Sequence, residues 1–254
     1  MNNREWEWLS AHERTLPDGS TLPPGYLLKS LAIKLRRRLW GGYADRGRRF
    51  VWNAFARTES DGPSLVARTY VEHAAIRQIL SGVGRLRRAC EFGCGYGRMT
   101  VVLQEIAEQV TGFEREHHLV ETARRLMPGI AFVQVSDLAL VDDHDPYDLA
   151  MSFTVLQHLT DADAQRTCAR MRQLAPHGFL LLAEKTAPVA ITAAHSDGRA
   201  FLSRHRSIAT YTDFVKPFRL VATLPRPADP AGDDESPAGA LMLFAAPGRE
   251  YPRA

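Results

Sequence analysis

The chain has 254 residues, of which 45% are apolar and 24% are charged. This composition is typical of a globular protein, and it excludes collagen, a coiled coil and wholesale disorder. The length suffices for one large domain with a full core and a deep pocket. The formal net charge of +3 is too small to indicate a class of partner.

No apolar run reaches the roughly 18–20 residues that a transmembrane helix needs. The first residues, Met-Asn-Asn-Arg-Glu-Trp, lack the apolar stretch of a signal peptide. The three cysteines are too few to staple a secreted fold, and the spacing of Cys90 and Cys94 is poor for zinc. We therefore expect a cytoplasmic protein that holds no metal.

Residues 1–85 are predicted to form a helical region that caps the protein or contributes to substrate binding. A first helix is bounded by Pro23-Pro24 and Gly41-Gly42, and leucines recur every fourth residue along it. A second helix is predicted over about residues 64–80. The segment 25–57 carries nine Lys or Arg residues against a single acid, so it either binds an anionic acceptor or forms a solvated helix face.

From about residue 87, short apolar runs alternate with amphipathic ones, which predicts βαβ units and a parallel sheet covered by helices. The predicted strands are 88–92, 109–114, 130–135, 147–153 and 178–184, and the predicted helices between them are 98–108, 116–127 and 161–174. A helix over 206–215 and strands over 218–223 and 240–246 follow. We assign residues 86–254 to this second domain, whose ligand should lie at the carboxyl ends of the strands.

The most informative motif follows the first of these strands and reads Glu91-Phe-Gly93-Cys94-Gly95-Tyr-Gly97. Glycines between a strand and a helix let the backbone turn sharply and approach a nucleotide cofactor closely. The motif fits neither the dinucleotide pattern, whose third glycine is missing, nor a P-loop. Because a carboxylate in the loop would repel a pyrophosphate, Glu91 favours a cofactor that carries an ammonium group. S-adenosylmethionine has one, together with a cationic sulfonium.

Acids also end the second and third predicted strands. Glu114 is placed to accept hydrogen bonds from both hydroxyls of a ribose. Asp137 could accept one from an adenine amino group, with Leu138 packed beside the ring. Each acid alone could be a solvated carboxylate or a helix N-cap, but three at successive strand ends behind a glycine loop indicate a cofactor site.

These motifs resemble those of the class I S-adenosylmethionine-dependent methyltransferases, in particular the group that acts on small molecules. The resemblance covers residues 87–184, and it includes segments 147–159 and 178–184. It implies an α/β fold, a Rossmann-like doubly wound sheet of seven strands with an antiparallel last strand, plus the N-terminal helical extension. By position, it assigns the methionine part of the cofactor to Glu91 and the glycine loop, the ribose to Glu114, the adenine to Asp137 and Leu138, and the surroundings of the methyl group to Ser152 and Phe153.

The acceptor is less constrained by the sequence. His158 is the best candidate for a general base, since it follows the fourth strand, although it could equally pack or cap a helix start. Tyr211 and Arg206 lie where substrate contacts are expected. The sequence after the fourth strand has neither the Asp/Asn-Pro-Pro-aromatic motif of enzymes that methylate nucleic-acid amino groups nor the carboxylate of metal-dependent catechol-type enzymes.

We therefore expect a methyltransferase that acts on an oxygen or nitrogen of a small molecule, such as a natural product or a sugar. Two alternatives stay open. The acceptor could be a phosphate-bearing or lipid-linked glycan or an RNA, bound through segment 25–57, or the chain could be a non-catalytic partner protein that binds S-adenosylmethionine. The sequence leaves the oligomeric state open.

Overall fold

The structure is a computed structural model, and it describes residues 62–194, 202–227 and 239–252. The predicted helix that starts at Pro23-Pro24 and the basic segment 25–57 lie outside these residues. Within them, no helix combines the length and the apolar character that crossing a bilayer requires.

The helices and strands are numbered in chain order. The helices are α1 (Gly62–Leu80), α2 (Thr100–Leu103), α3 (His117–Leu126), α4 (Asp161–Leu174) and α5 (Ile208–Phe214). The strands are β1 (Leu86–Phe92), β2 (Ala107–Glu114), β3 (Ala131–Gln134), β4 (Leu149–Phe153), β5 (Phe179–Lys185), β6 (Ile191–Ala194), β7 (Leu202–His205), β8 (Arg219–Pro225) and β9 (Gly239–Ala245). Short 3₁₀ helices span Leu138–Leu140 and Leu156–His158.

Seven strands form one sheet in the order β3-β2-β1-β4-β5-β9-β8. The neighbours among β1 to β5 pair in parallel, whereas β9 is antiparallel to both β5 and β8. This arrangement confirms the predicted doubly wound sheet with an antiparallel last strand. The order reverses between β1 and β4, so the carboxyl ends of these two strands border the crevice where such sheets bind ligands.

Helices cover both faces of the sheet, because each strand turns alternate side chains to opposite faces. On one face, α1, α2 and α3 pack on residues such as Ala89, Met151 and Leu181. On the other face, α4 and α5 pack on residues such as Phe92 and Leu182. We call these the α1 face and the α4 face.

The ends of the helices follow local signals. Thr160 caps α4, since its hydroxyl accepts a hydrogen bond from the Asp163 N–H, and two acids stand in the first turn, where they favour the helix dipole. Ser207 caps α5 in the same way.

Three features depart from the sequence prediction. The helix expected over 98–108 is restricted to Thr100–Leu103, because β2 begins at Ala107, which pairs with Leu86. The hairpin of β6 and β7, which follows β5, was not predicted. Helix α1, assigned by sequence to the region 1–85, packs on the sheet through Ile76 and Ile79, while the proposed division at residue 85 stays a prediction.

Candidate active site

The glycine loop between β1 and α2 depends on three glycines in the left-handed region, Gly93, Gly95 and Gly97, with φ of 70°, 57° and 88°. A Cβ at Gly93 would lie 2.5 Å from Cγ2 of Val155, and one at Gly97 would lie 2.8 Å from the Phe132 ring, so packing requires both glycines. A Cβ at Gly95 would meet nothing within 4 Å. Gly95 therefore offers its backbone to open space, as a site for a closely bound cofactor needs.

Glu114 holds this loop from the carboxyl end of β2. Its carboxylate accepts hydrogen bonds from the N–H groups of Gly95, Arg115 and Glu116 at 2.9, 2.8 and 2.9 Å. The side chain is largely buried. Glu114 and the loop are thus in contact although they are separated in sequence. The carboxylate lies next to Gly95, the one glycine of the loop at which a Cβ would contact no other atom.

Glu91 is buried at the end of β1, where the Thr100 hydroxyl donates a hydrogen bond of 2.5 Å to it. Burial raises the pKa of Glu91 to about 8, although the Thr100 hydrogen bond and the Arg98 charge oppose this shift. The carboxyl group is therefore mostly protonated at neutral pH. Cys94 is also buried, close to Gly112, where a Cβ would lie 2.7 Å from its sulfur, and burial raises the pKa of its thiol.

Asp137 and Leu138 follow β3 and start a 3₁₀ helix. The Asp137 carboxylate accepts a hydrogen bond of 2.9 Å from the Ala139 N–H, and Arg166 lies 3.7 Å away. Leu138 packs on the core of the α4 face while staying partly exposed. Asp137 is therefore a cap of the kind that the sequence left open, and it also stands at the carboxyl edge of the sheet.

Ser152 and Phe153 lie at the end of β4, and both side chains are buried. The Ser152 hydroxyl donates a hydrogen bond of 3.1 Å to Glu184. Thr154 follows with φ of 59°, a conformation unfavourable for a β-branched residue, and its N–H donates to the Ala183 carbonyl. A residue keeps such a strained conformation only where the surrounding structure fixes it, and strained residues are common at functional sites.

Glu184, at the end of β5, was missed by the sequence reasoning. Its buried carboxylate accepts hydrogen bonds from the N–H groups of Val155, Leu156 and Gln157 at 3.1–3.3 Å, in addition to the Ser152 hydroxyl. Burial raises its pKa to about 7, against the effect of these donors. Glu184 thus anchors the 3₁₀ helix that carries His158. A carboxylate at the end of a buried strand is a signal that could have identified it.

His158 ends that 3₁₀ helix and is half-buried, with the amide nitrogen of Gln157 3.3 Å from its Nε2. Arg206 is buried, and its guanidinium donates to the carbonyls of Leu156 and Leu159 and to Asp161, at 2.7–2.8 Å. Tyr211 is buried in the core of the α4 face, and burial raises the pKa of its phenol. Arg206 thus contacts the segment that contains His158, and it does so as a buried side chain. The structure also places Tyr211 inside the core.

A second buried ionic group links the glycine loop to β8. The Glu72 carboxylate of α1 bonds the guanidinium groups of Arg98 and Arg226, the latter at 3.1 Å. Both guanidinium groups lie over the Phe153 ring, at 5.8 and 5.4 Å from its centroid. Sequence alone gave no sign of this group, because Arg98 and Arg226 lie 26 and 154 residues from Glu72 along the chain.

Within the described residues, no group of three or more His, Cys, Asp or Glu side chains is placed to hold a metal ion.

A seven-stranded sheet of this order, with a glycine loop after β1 and an acid at the end of β2, defines the class I methyltransferase fold. A family model described as a methyltransferase domain matches residues 89–178. This match and the fold together support the assignment of residues 89–178 to a methyltransferase domain of the class I, S-adenosylmethionine-dependent kind.

Two comparisons with individual proteins agree with this assignment. The chain is 37% identical over 79 residues to a trans-aconitate 2-methyltransferase of Rhizobium leguminosarum bv. trifolii (strain WSM2304), and 38% identical over 78 residues to that of Rhizobium etli. Each match spans 30% of this chain and 30% of the relative, so less than a third of either protein is compared.

Solved structures share the fold at low identity. The N-methyltransferase NodS from Bradyrhizobium japonicum WM9, in complex with S-adenosyl-l-homocysteine, is 17% identical, with a TM-score of 0.56 over 74% of this chain and 90% of that one. The 1,6-didemethyltoxoflavin-N1-methyltransferase of Burkholderia thailandensis is 18% identical, with a TM-score of 0.55 over 89% and 92%. At these identities the likeness concerns the fold alone.

Proposed function

We propose that the protein transfers a methyl group from S-adenosylmethionine to an oxygen or nitrogen of a small molecule. One observation supports this most strongly: the Glu114 carboxylate lies within hydrogen-bond distance of Gly95, the loop glycine with open space above it. A carboxylate beside an approachable backbone suits a ribose with a charged, amine-bearing substituent better than it suits a phosphate.

The residues present fit the cofactor. Glu91 and the glycine loop would hold the methionine part, Glu114 the ribose, and Asp137 with Leu138 the adenine. When bound, the cofactor supplies a methyl group on a positively charged sulfur. The chain's own part is to align the acceptor with that methyl group and to exclude water, which in the best model systems is worth on the order of 7–11 kcal/mol.

Alignment depends on the segment after β4. Glu184 fixes the N–H groups of residues 155–157, and Arg206 fixes the carbonyls of Leu156 and Leu159. His158 in this segment would take the proton of a hydroxyl acceptor, whereas an amine acceptor must arrive neutral. Ser152 and Phe153 would form the wall behind the methyl group.

The trans-aconitate 2-methyltransferases and the 1,6-didemethyltoxoflavin-N1-methyltransferase named above act on small molecules, as their names state. This favours a small-molecule acceptor here, with natural products and sugars as the first classes to try. The alternative acceptors, a phosphate-bearing or lipid-linked glycan or RNA, depend on segment 25–57. A non-catalytic partner protein is disfavoured by the intact glycine loop and Glu114.

Calorimetric titration with S-adenosylmethionine and S-adenosylhomocysteine tests the proposal. We expect micromolar binding that Glu114→Ala weakens roughly 10–100-fold, because hydrogen bonds to a charged group contribute about 1.5–3 kcal/mol. Glu108→Ala is the matched control, since Glu108 lies on the same strand but is exposed and pairs with Arg85. Equal affinity in wild type and Glu114→Ala, or no binding by the wild type, would contradict the proposal.

A further inference from the structure

The side chain of Gln157 connects the 3₁₀ helix after β4 to the end of β5, and it is 2% exposed. Its Oε1 accepts a hydrogen bond of 2.8 Å from the Lys185 N–H. Its amide nitrogen lies 3.3 Å from Nε2 of His158, the candidate base. The backbone N–H of Gln157 also donates to Glu184, at 3.1 Å. The residue that contacts the candidate base is therefore fixed through both its backbone and its amide group.

These contacts decide the orientation of the Gln157 amide. A backbone N–H can only donate, so the amide atom that faces Lys185 must be the oxygen. The amide NH₂ group therefore faces His158, and because it is buried, it needs an acceptor there. A neutral imidazole accepts a hydrogen bond only through the ring nitrogen that has no proton. Nε2 of His158 is accordingly bare, and the ring proton is on Nδ1.

The opposite tautomer of His158 would be costly. With a proton on Nε2, two N–H groups would face each other at 3.3 Å, and the buried amide would lose this acceptor. An exposed pair of the same residue types, His117 and Gln134, has the reverse arrangement. There the Gln134 amide nitrogen donates to the Arg115 carbonyl, so its oxygen faces Nδ1 of His117 at 3.0 Å and accepts the proton of that nitrogen.

We propose that Gln157 sets the tautomer of His158 and thereby makes Nε2 the nitrogen that receives the proton of the acceptor. This inference rests on the proposed function, for which Gln157 is a positioning residue. At 3.3 Å, the amide hydrogen bond exceeds the usual range of about 2.7–3.2 Å, so an acceptor hydroxyl can take its place at Nε2. The hydroxyl proton then passes to Nε2, and its electron pair stays on the acceptor oxygen. The ring becomes an imidazolium, which afterwards gives a proton to water.

Spectra of the ring nitrogens test the tautomer, in ¹⁵N-histidine-labelled protein saturated with S-adenosylhomocysteine. Protonated and bare ring nitrogens differ widely in chemical shift, and His158→Phe identifies the signals of this ring by their loss. In the wild type at neutral pH, we expect a bare Nε2 and a protonated Nδ1. A proton on Nε2 would overturn the inference.

Two substitutions separate a tautomer-setting role from a packing role. Gln157→Glu places an acceptor where the amide donates, so the proton of His158 should move to Nε2. Gln157→Met removes the donor without adding a charge, and both tautomers should then be populated. Gln134→Glu, beside the exposed His117, is the matched control and should leave the His158 signals unchanged. If Gln157 served packing alone, its variants would change the melting temperature but not the tautomer.

Should neither Gln157 variant fold, the wild-type spectrum alone decides. With folded variants, an unchanged tautomer in both would overturn the inference.

Steady-state kinetics test the catalytic consequence, with a hydroxyl acceptor found by screening. We expect the kcat of Gln157→Glu to fall roughly tenfold or more while KM changes little. The reason is that a ring with its proton on Nε2 cannot take another there, and general-base catalysis is worth about 10²–10⁴-fold. Gln157→Met keeps a fraction of its rings with a bare Nε2, so its kcat should lie between those of the wild type and Gln157→Glu. An unchanged kcat in Gln157→Glu would contradict the role.

The failures of the two proposals are distinguishable. If S-adenosylhomocysteine does not bind to the wild type, the proposed function fails, whatever the tautomer of His158. If it binds but His158 carries its proton on Nε2, only the role of Gln157 is wrong.

Discussion

The protonation of Glu91 makes the cofactor affinity depend on pH in a calculable way. We propose that Glu91 faces the ammonium group of the cofactor and is ionised in the complex. In the free protein its pKa is raised to about 8 by burial, so binding must release a proton at neutral pH. The ionised fraction is about 1% at pH 6 and about 9% at pH 7, so the affinity should rise about ninefold, or about 1.3 kcal/mol, between these values.

Glu91→Gln isolates this effect, because glutamine resembles the protonated acid in shape and does not titrate. The variant should bind more weakly than the wild type, and its affinity should be nearly flat between pH 6 and 7. The α-amino group of the cofactor stays protonated in this range, because the neighbouring carboxylate of its own methionine part favours the ammonium form. Its own titration also affects wild type and variant equally.

Calorimetric titration with S-adenosylhomocysteine, in two buffers of different ionisation enthalpy, measures both affinity and proton release. We expect close to one proton released by the wild type at pH 6 and none by Glu91→Gln. A wild-type affinity that is the same at pH 6 and 7, or a pH slope that the variant shares, would refute the reasoning.

Three further predictions concern the glycine loop and the two residues, Glu184 and Arg206, that hold the segment after β4. Both Gly95→Ala and Gly97→Ala should lower the melting temperature through the left-handed backbone, but Gly97→Ala should lower it further because its Cβ would also meet the Phe132 ring at 2.8 Å. Gly95→Ala should weaken S-adenosylhomocysteine binding, and thermal unfolding with and without ligand compares the two variants. Glu184→Leu leaves three N–H groups unpaired at about 1–3 kcal/mol each, so both the melting temperature and methylation should fall sharply, and an unchanged melting temperature would exclude the anchoring role. Arg206→Met removes the donors to Leu156 and Leu159, and we expect kcat to fall more than KM changes, which steady-state kinetics on an identified acceptor will measure.

The grouping of Glu91, the glycine loop and Glu114, which we propose as the cofactor site, was predictable because its signals are local. The glycine loop and Glu91 are contiguous in sequence, and Glu114 ends an apolar run, so spacing and residue type sufficed. The contact between Glu114 and Gly95 spans 19 residues, and it follows from β1 and β2 being parallel neighbours. Asp137 shows the limit of such reasoning, since its role as a cap was one of two open alternatives.

The sequence analysis singled out His158 and Arg206, but the contacts that hold the segment after β4 were not predictable, because they join residues far apart in the chain. Arg206 meets Leu156 across 50 residues, and Glu184 meets Gln157 across 27. Neither pairing leaves a periodic trace in the sequence. The hairpin of β6 and β7 was missed because its strands have only four residues each. A run of that length is too short for an alternating apolar pattern to distinguish it from a loop.

The segment after β4 connects the two halves of the site, and it is fixed from both sides. Glu184 accepts hydrogen bonds from its N–H groups, and Arg206 donates to its carbonyls. Thr154, at its start, has a backbone conformation whose cost in energy these contacts offset. A nucleophile must meet the methyl carbon in line, and a displacement of about 1 Å can cost on the order of a hundredfold in rate. The residues that set the rate here should therefore include buried ones that touch neither cofactor nor acceptor, and a search confined to exposed, reactive side chains such as His158 would overlook them.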